Sequence, residues 1–353
     1  MPASETPSRE TLRTAPKVLL HDHLDGGVRP QTIIDLAADI GHDLPTTDSG
    51  ELADWFFCGG DDIGNLPKYL DKFRHTFGVM QTRDGLHRVA REAAEDLAAD
   101  GVVYAEVRFG PSLHLGSGLS IDEIIETVVD GLTTGSEGTP LRCGVLVTAL
   151  RNADDSLALA EAAVRYRDRG VVGFDIAGPE EGFPPQRHLP AFQHLQRENF
   201  HFTIHAGEAF GPRSIWKALQ WCGAERLGHG YRIIEDIDFS GEEPVLGSLA
   251  AYVRDRRVPL EVCPTSNVHI KGAPSIAKHP IGTLLNLGFR VTVNTDNRLM
   301  SRCTMTSEYA ELVEHQGWTM DDVTKTTINA AKSAFLPFDE RNKLIEEILA
   351  TTN

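Results

Sequence analysis

Long apolar runs are missing from this chain of 353 residues. None approaches the roughly 20 consecutive apolar residues that a membrane-spanning helix needs. The first sixteen residues are polar and lack the apolar centre of a secretory signal. Cysteine is sparse too: Cys58, Cys143, Cys222, Cys263 and Cys303 are odd in number and never spaced C-x-x-C. That pattern argues against a disulfide framework or a cysteine-held structural zinc, and for a reducing, cytoplasmic compartment. Positive charge is in short supply, with 34 Lys and Arg against 51 Asp and Glu and a formal net charge of -17. So acidic a chain repels duplex nucleic acid and anionic membranes, and neither is expected as a partner. A small neutral or cationic ligand is compatible with that balance. No internal repeat, low-complexity block or linker interrupts the sequence, and nothing in it fixes an oligomeric state.

What the sequence does contain is alternation. Eight short β-rich apolar runs occur at 17–20, 102–109, 142–150, 171–176, 200–204, 226–228, 259–263 and 290–294. Helical patterns lie between them, for example at 89–99, 155–168, 213–221 and 246–257, and Ser120 with Glu123 has the form of a capping box. Strand–helix alternation implies parallel βαβ units. Eight units suggest a single-domain α/β fold, a (β/α)8 TIM barrel over residues 17–353, preceded by a polar N-terminal tail, 1–16. A doubly wound sheet gives similar alternation, but no G-x-G-x-x-G follows the first run. The stretch from about 41 to 84 is too long for a βα connection and rich in aromatic residues, so it reads as an inserted helical lid after the first strand.

The polar residues cluster where the apolar runs stop. The first run ends on "HDHLDGG", the fourth on "DIAG", the fifth on "HAGE", the sixth on "GHGY", the seventh on "CPTSN" and the eighth on "NTDN". In a barrel the C-terminal ends of all strands converge on one face, where active sites sit. Strand residues i and i+2 share a face, so His21 and His23 point inward together while Asp22 points away. His205 and Asp296 can complete a set of three imidazoles and one carboxylate, which suits zinc with a position left for water. Arg108, at the end of the second run, reads as a buried ion-pair partner. Ser266 and Asn267 read as groups that orient ligands. The remaining histidines, among them His42, His75, His114, His269 and His279, read as structural.

The ordered set "HDHLDGG", "GFDIAG", "HAGE", "GHGY", "CPTSN" and "NTDN", spanning residues 21 to 297, resembles the adenosine deaminase family within the metal-dependent amidohydrolases. The resemblance implies one zinc per chain on His21, His23, His205 and Asp296. It implies Glu208 as proton donor to the purine N1, His229 beside the attacking water, and Asp296 as the base that holds that water. It further implies a ribose contact through Asp25 and a purine contact through the Gly178 backbone. "LPKYLDKF", at 66–73, resembles the family's helical gate, with Tyr69 and Phe73 over the base. The implied reaction is hydrolytic deamination of a 6-aminopurine nucleoside, adenosine or 2'-deoxyadenosine, to the inosine product with release of ammonia.

One position departs from the family pattern. Many members carry a second aspartate where this chain has Asn297, and that residue is thought to meet the purine N7. N7 accepts hydrogen bonds, so its partner must donate; an amide does so without titrating. Asn297 therefore reads as a substitution that keeps the contact. Other readings remain open at this level: a deaminase of adenine or aminodeoxyfutalosine, a binuclear hydrolase using Asp175 as a bridging ligand, or a non-catalytic nucleoside-binding protein. The H-x-E and P-C-x-x-C elements of cytidine-type zinc deaminases are absent.

Overall fold

The computed structural model describes residues 6–60, 63–64 and 66–352, with the backbone alone for 66–71 and 352. Among the described residues ten strands occur, in chain order β1 (Lys17–His23), β2 (Val102–Phe109), β3 (Arg142–Leu150), β4 (Val171–Ala177), β5 (Thr203–Ala206), β6 (Arg226–His229), β7 (Ile237–Asp238), β8 (Val245–Leu246), β9 (Pro259–Val262) and β10 (Arg290–Val293). β7 and β8 form a small antiparallel ribbon. The other eight form two parallel four-stranded sheets, β1-β2-β3-β4 and β10-β9-β6-β5. Parallel bridges Asp22–Asp296 and Phe174–Phe202 join their edges. His23 N–H donates to Asp296 O at 2.8 Å, Asp296 N–H to His21 O at 3.0 Å, and Phe174 N–H to His201 O at 3.0 Å. A doubly wound sheet keeps two free edges; here both are closed, which makes the fold a (β/α)8 barrel.

The register of β1 against β2 shifts between Leu19, opposite Ala105, and Asp22, opposite Val107, so the strand carries one extra residue there and breaks the period of two. Leu19 belongs to the main core, while Val18 and Leu20 cluster with Tyr104, Leu344 and Ile348. Past the irregularity His21 and His23 enter the barrel, where they reach Glu261 and His205, and Asp22 turns away to accept from Thr295 Oγ1 at 2.8 Å and Arg298 Nε at 2.9 Å. β1 therefore extends three residues beyond its apolar run, because backbone pairing with β2 and with Asp296 continues where hydrophobicity stops. β5 is displaced in the same direction along the chain: it starts at Thr203, not at residue 200, and reaches Ala206.

Helices cover the barrel as amphipathic patterning requires. The helix Ile121–Ser136 starts at the expected capping box, Ser120 with Glu123. The polar stretch 1–16 is not a tail throughout. Ser8 caps a helix, Arg9–Thr14, whose Leu12 is buried. Lys17 Nζ donates to the carbonyls of Leu12, Arg13 and Ala15 at 2.7, 3.0 and 2.8 Å, satisfying the helix end that β1 follows. Between β1 and β2 stand the helices Pro30–Ile40, Ser49–Phe56, Leu66–Val79 and Arg83–Ala99. The long aromatic stretch supplies the middle two. Among the described residues, no helix is long and apolar enough to cross a membrane.

Candidate active site

The C-terminal rim of the barrel gathers buried imidazoles and carboxylates. One ligand atom from each of His21, His205, His229 and Asp296 lies within 4.8 Å of the others. His23 Nε2 stands 3.3 Å from His205 Nε2 and 3.3 Å from Asp296 Oδ1. Residues separated by 275 positions thus share one small volume, because β1 and β10 close the barrel at this point. Asp296 and His229 have φ of +61° and +64°. That conformation is disfavoured for non-glycine residues, and such strain collects at functional sites.

Two of the inward imidazoles, His21 and His205, are held from behind. His21 Nδ1 meets Glu261 Oε2 at 3.0 Å, and His205 Nδ1 meets Asp175 at 3.0 Å. A proton kept on Nδ1 leaves Nε2 as a lone-pair donor facing the cluster, an arrangement common behind metal ligands. His21 Nε2 is buried and has no hydrogen-bond partner among the described residues. An orphaned buried acceptor beside a carboxylate and two further imidazoles fits a cation. Burial pushes the pKa of His23 well below its ordinary value and lowers that of His205, so both are neutral donors. At His21 burial and Arg108 oppose protonation, but the neighbouring carboxylates of Asp296, 3.4 Å from Nε2, and Glu261 outweigh them and raise its pKa, so Nε2 sits where a cation, proton or metal ion, is favoured. Asp296 stays well below the ordinary carboxylate range: burial opposes its charge, but the surrounding imidazoles prevail. Its Oδ2 accepts from Ser266 Oγ at 2.6 Å.

His229 is oriented by a different device. Ile281 N–H donates to His279 Nδ1 at 3.1 Å, His279 Nε2 lies 3.2 Å from Asn267 Oδ1, and Asn267 Nδ2 lies 3.0 Å from His229 Nδ1. Since the amide nitrogen donates, His229 Nδ1 accepts and the proton sits on Nε2, 3.6 Å from Glu208 Oε1. Burial holds His229 well below its ordinary pKa, so it presents a neutral N–H and not the charged imidazolium that its place beside an oxyanion suggests. Glu208 is displaced the opposite way. Desolvation first, then the carboxylates of Asp296 and Glu180, push its pKa well above the ordinary value.

Glu180 went unnoticed in the sequence. Its carboxylate accepts from the N–H groups of Gly207, Glu208 and Ala209 at 3.1, 2.8 and 3.0 Å, fixing the turn that carries Glu208. The signal was present as an acid just after "DIAG", yet nothing local ties residue 180 to residue 208. Glu261 was missed because it sits inside an apolar run. Asp175, weighed as a ligand for a second metal, is occupied otherwise: it binds His205, accepts from Arg108 Nη1 at 2.9 Å and caps Ile176 N–H at 2.7 Å. Arg108 is the buried ion-pair partner it was read as, bridging Asp175 and Glu261.

Above the cluster opens a cleft of about 430 Å³ lined by Asp25, Phe73, Gly178, Glu208 and Asn297 among others. Asp25 is 5% exposed, its Oδ1 has no hydrogen-bond partner among the described residues, and burial raises its pKa to about 7. Gly178 has φ of +99°, which presents its backbone in a way side-chain-bearing residues rarely adopt. Asn297 packs against Gly26, where a Cβ would overlap its amide; the first glycine of "HDHLDGG" makes room for it. Phe73 stacks on Phe77 with ring centroids 5.5 Å apart. The side chain of Tyr69 lies outside the described residues.

Comparison with known proteins agrees with this geometry. The adenosine deaminase family model matches residues 16–351. The adenosine deaminase 1 of Streptomyces coelicolor is 58% identical, with 98% of this chain and 89% of that protein covered. The adenosine deaminase of Mycobacterium marinum is 53% identical over 98% of this chain and 97% of its own length. Among solved structures, the adenine deaminase of Arthrobacter aurescens superposes with a TM-score of 0.83 at 25% identity, covering 96% of this chain and 99% of that one. An ordered motif set, a closed eight-stranded barrel and a match over nearly the whole chain lead to one conclusion: this chain belongs to the adenosine deaminase family.

Proposed function

We propose that the chain is a zinc-dependent hydrolase that deaminates adenosine and 2'-deoxyadenosine, working in the cytoplasm on a small purine nucleoside and on neither nucleic acid nor membrane. The observation that carries this reading is the pair formed by Glu208 and the His–Asp cluster. A carboxyl kept protonated by burial stands beside groups suited to a cation. His21, His23, His205 and Asp296 would hold a zinc ion, which would supply the Lewis acidity that activates water at neutral pH. Glu208 donates its proton to N1 of the aminopurine, which draws electrons from C6 and opens it to attack. His229 offers its Nε2–H to the oxygen that gains charge at C6; Asp296, ionised, takes a proton from the attacking water and delivers it to N6 as the C6–N6 bond breaks and ammonia leaves, and the remaining proton of the C6 hydroxyl returns to Glu208. Asp25 takes a ribose hydroxyl, a role that suits its buried Oδ1, which has no hydrogen-bond partner among the described residues. The Gly178 backbone and the Asn297 amide read the purine, with Tyr69 and Phe73 from the helix Leu66–Val79 over the base.

A panel of 6-aminopurines assayed for ammonia release, with metal content measured on the same samples, tests the reading. Adenosine and 2'-deoxyadenosine should be the best substrates and metal content should be near one equivalent. Glu208→Gln should retain zinc and lose roughly 10²–10⁴-fold in turnover, the ordinary contribution of general acid catalysis. Full activity in that variant removes Glu208 from the mechanism; two metals, both required, favours a binuclear hydrolase. 7-Deazaadenosine, which lacks the N7 acceptor, should be turned over roughly ten- to a hundredfold less efficiently than adenosine if Asn297 reads N7. Equal treatment of the two nucleosides removes that contact.

A further inference from the structure

The opposite end of the barrel carries a second polar concentration, of the other sign. At the N-terminal ends of β6, β9 and β10 lies a groove of about 440 Å³, lined by Arg256, Arg257, Arg290, Lys332 and Arg341. Its one lining carboxylate is Glu225. That acid is already committed, binding His201 Nδ1 at 2.7 Å and accepting from Phe202 N–H at 3.3 Å. Arg226, at the groove floor, is paired inside the barrel with Glu106 and Glu261. Among the described residues none of the five lining cations forms an ion pair. Arg257 donates to the Gly288 carbonyl, and the Arg256 guanidinium lies over the Tyr252 ring at 6.0 Å. Arg290 Nε is buried with no hydrogen-bond partner among the described residues.

Such a set is hard to explain as a solvated face. In a chain with 51 acidic residues, carboxylates to neutralise five neighbouring cations are abundant elsewhere, yet only Glu225, committed to His201 and Phe202, lines this groove. Like charges drawn together raise each other's free energy, and burial together with Arg257 and Arg341 lowers the pKa of Arg290. A concave site focuses positive potential, which favours a compact, multiply charged anion. An extended polyanion is disfavoured, because it must also cover the surrounding acidic surface. Guanidinium forks match phosphate oxygens in geometry as well as in charge.

We propose that this groove binds a small polyphosphate anion, either free or as the tail of a nucleotide, at a site separate from the catalytic cleft. Tripolyphosphate and CTP, titrated calorimetrically into the full chain at low and physiological salt, are the probes. Tripolyphosphate should bind with an affinity that sulfate at equal ionic strength does not reproduce, and binding should raise the melting temperature. Lys332→Gln and Arg290→Gln should each weaken it roughly tenfold, as expected for loss of one charge-assisted contact. Lys332 is exposed, so its variant keeps the test valid should Arg290→Gln fail to fold. CTP binding more tightly than tripolyphosphate assigns the site to a nucleotide, with Tyr252 under the base; equal affinities assign it to the phosphate chain alone. Absence of binding by both probes, binding matched by sulfate, or binding unchanged in the Lys332→Gln chain overturns the proposal.

Discussion

The two ends of the barrel treat charge in opposite ways. At the C-terminal rim, His21, His205, His229 and Asp296 are buried and each has a partner behind it, Glu261, Asp175, Asn267 and Ser266. At the N-terminal end, six cations line one groove, and among the described residues five of them, all but Arg226, form no ion pair. Between the two ends runs a column of alternating charge inside the barrel. Glu106 meets Arg226 at 2.5 Å, Arg226 meets Glu261 at 2.7 Å, Glu261 meets Arg108 at 2.8 Å, and Arg108 meets Asp175 at 2.9 Å. Buried ions are tolerated only when their partners are complete. The column meets that condition, and its upper members, Glu261 and Asp175, then hold His21 and His205. What the difference teaches is that a site needs its charges positioned, and positioning requires partners. Cations left without acidic partners remain available to an outside ion.

Breaking the column should have the largest effect on stability. Glu261→Gln removes the charge shared by Arg226, Arg108 and His21. Two guanidinium groups lose a buried counter-ion, and losing one member of a buried pair is worth about 3–5 kcal/mol. His21 also loses the acceptor that fixes its tautomer, a change that typically weakens metal binding about 10–100-fold. Denaturant unfolding and metal titration should therefore both register the variant. A chain of normal stability that still loses metal would mean that Glu261 serves His21 alone and that the column is not one unit.

Much of the upper end was legible before the structure, and the reason is local. His21 and His23 are two apart at the end of a run, His205 and Asp296 end their own runs, and Glu208 follows His205 by three. Spacing along a strand and convergence of strand ends place such residues together without any coordinates. The members of the column were not legible as a network. Glu261 lies 240 positions from His21 and is embedded in residues that read as an ordinary strand. Glu180 and the His279–Asn267 pair likewise act across loops, where no periodicity links the partners. The lower cations are drawn from segments between residues 256 and 341, each unremarkable on its own. The helix Arg9–Thr14 escaped because it is short and offers one buried apolar residue to the barrel, too little for a periodic pattern.

Acid should separate the two ends next. His114 is fully buried beside the cleft, near Phe77 and Phe109, and burial pushes its pKa down to about 4. In the unfolded chain it titrates near 6.5. Above that pH both states hold it neutral and stability is complete. As pH falls from 6.5 towards 4 the unfolded state takes up a proton that the folded state refuses, and stability drops. The slope from this one group is about 1.4 kcal/mol per pH unit, roughly 3 kcal/mol in all. His279, depressed by burial to about 3, adds a loss of the same sign. Urea unfolding at pH 7 and pH 5 should show a shallower fall for His114→Leu than for the parent chain. An identical fall in both would show that His114 is not buried neutral.

The smallest effect is expected at the lower end, and its sign matters more than its size. Arg341 lies in the first turn of the helix Phe338–Thr352, where the helix dipole disfavours a cation. It faces Arg290 closely enough to lower that residue's pKa, and among the described residues it forms no ion pair. Removing it relieves repulsion on both counts while sacrificing no charge partner. Arg341→Gln should thus leave stability unchanged or raise it by about 0.5 kcal/mol, within the usual range for a surface substitution. That contrasts with the loss of several kcal/mol expected at Glu261. Added tripolyphosphate should reverse the order, stabilising the parent chain more than the variant, because the ligand supplies the counter-charge that the fold omits. The measurement is a pair of melting curves for each protein, with and without the anion in the same buffer. A variant that melts several degrees lower in the absence of anion would show that Arg341 holds structure in place, and the contrast between the two ends would then fail at this residue.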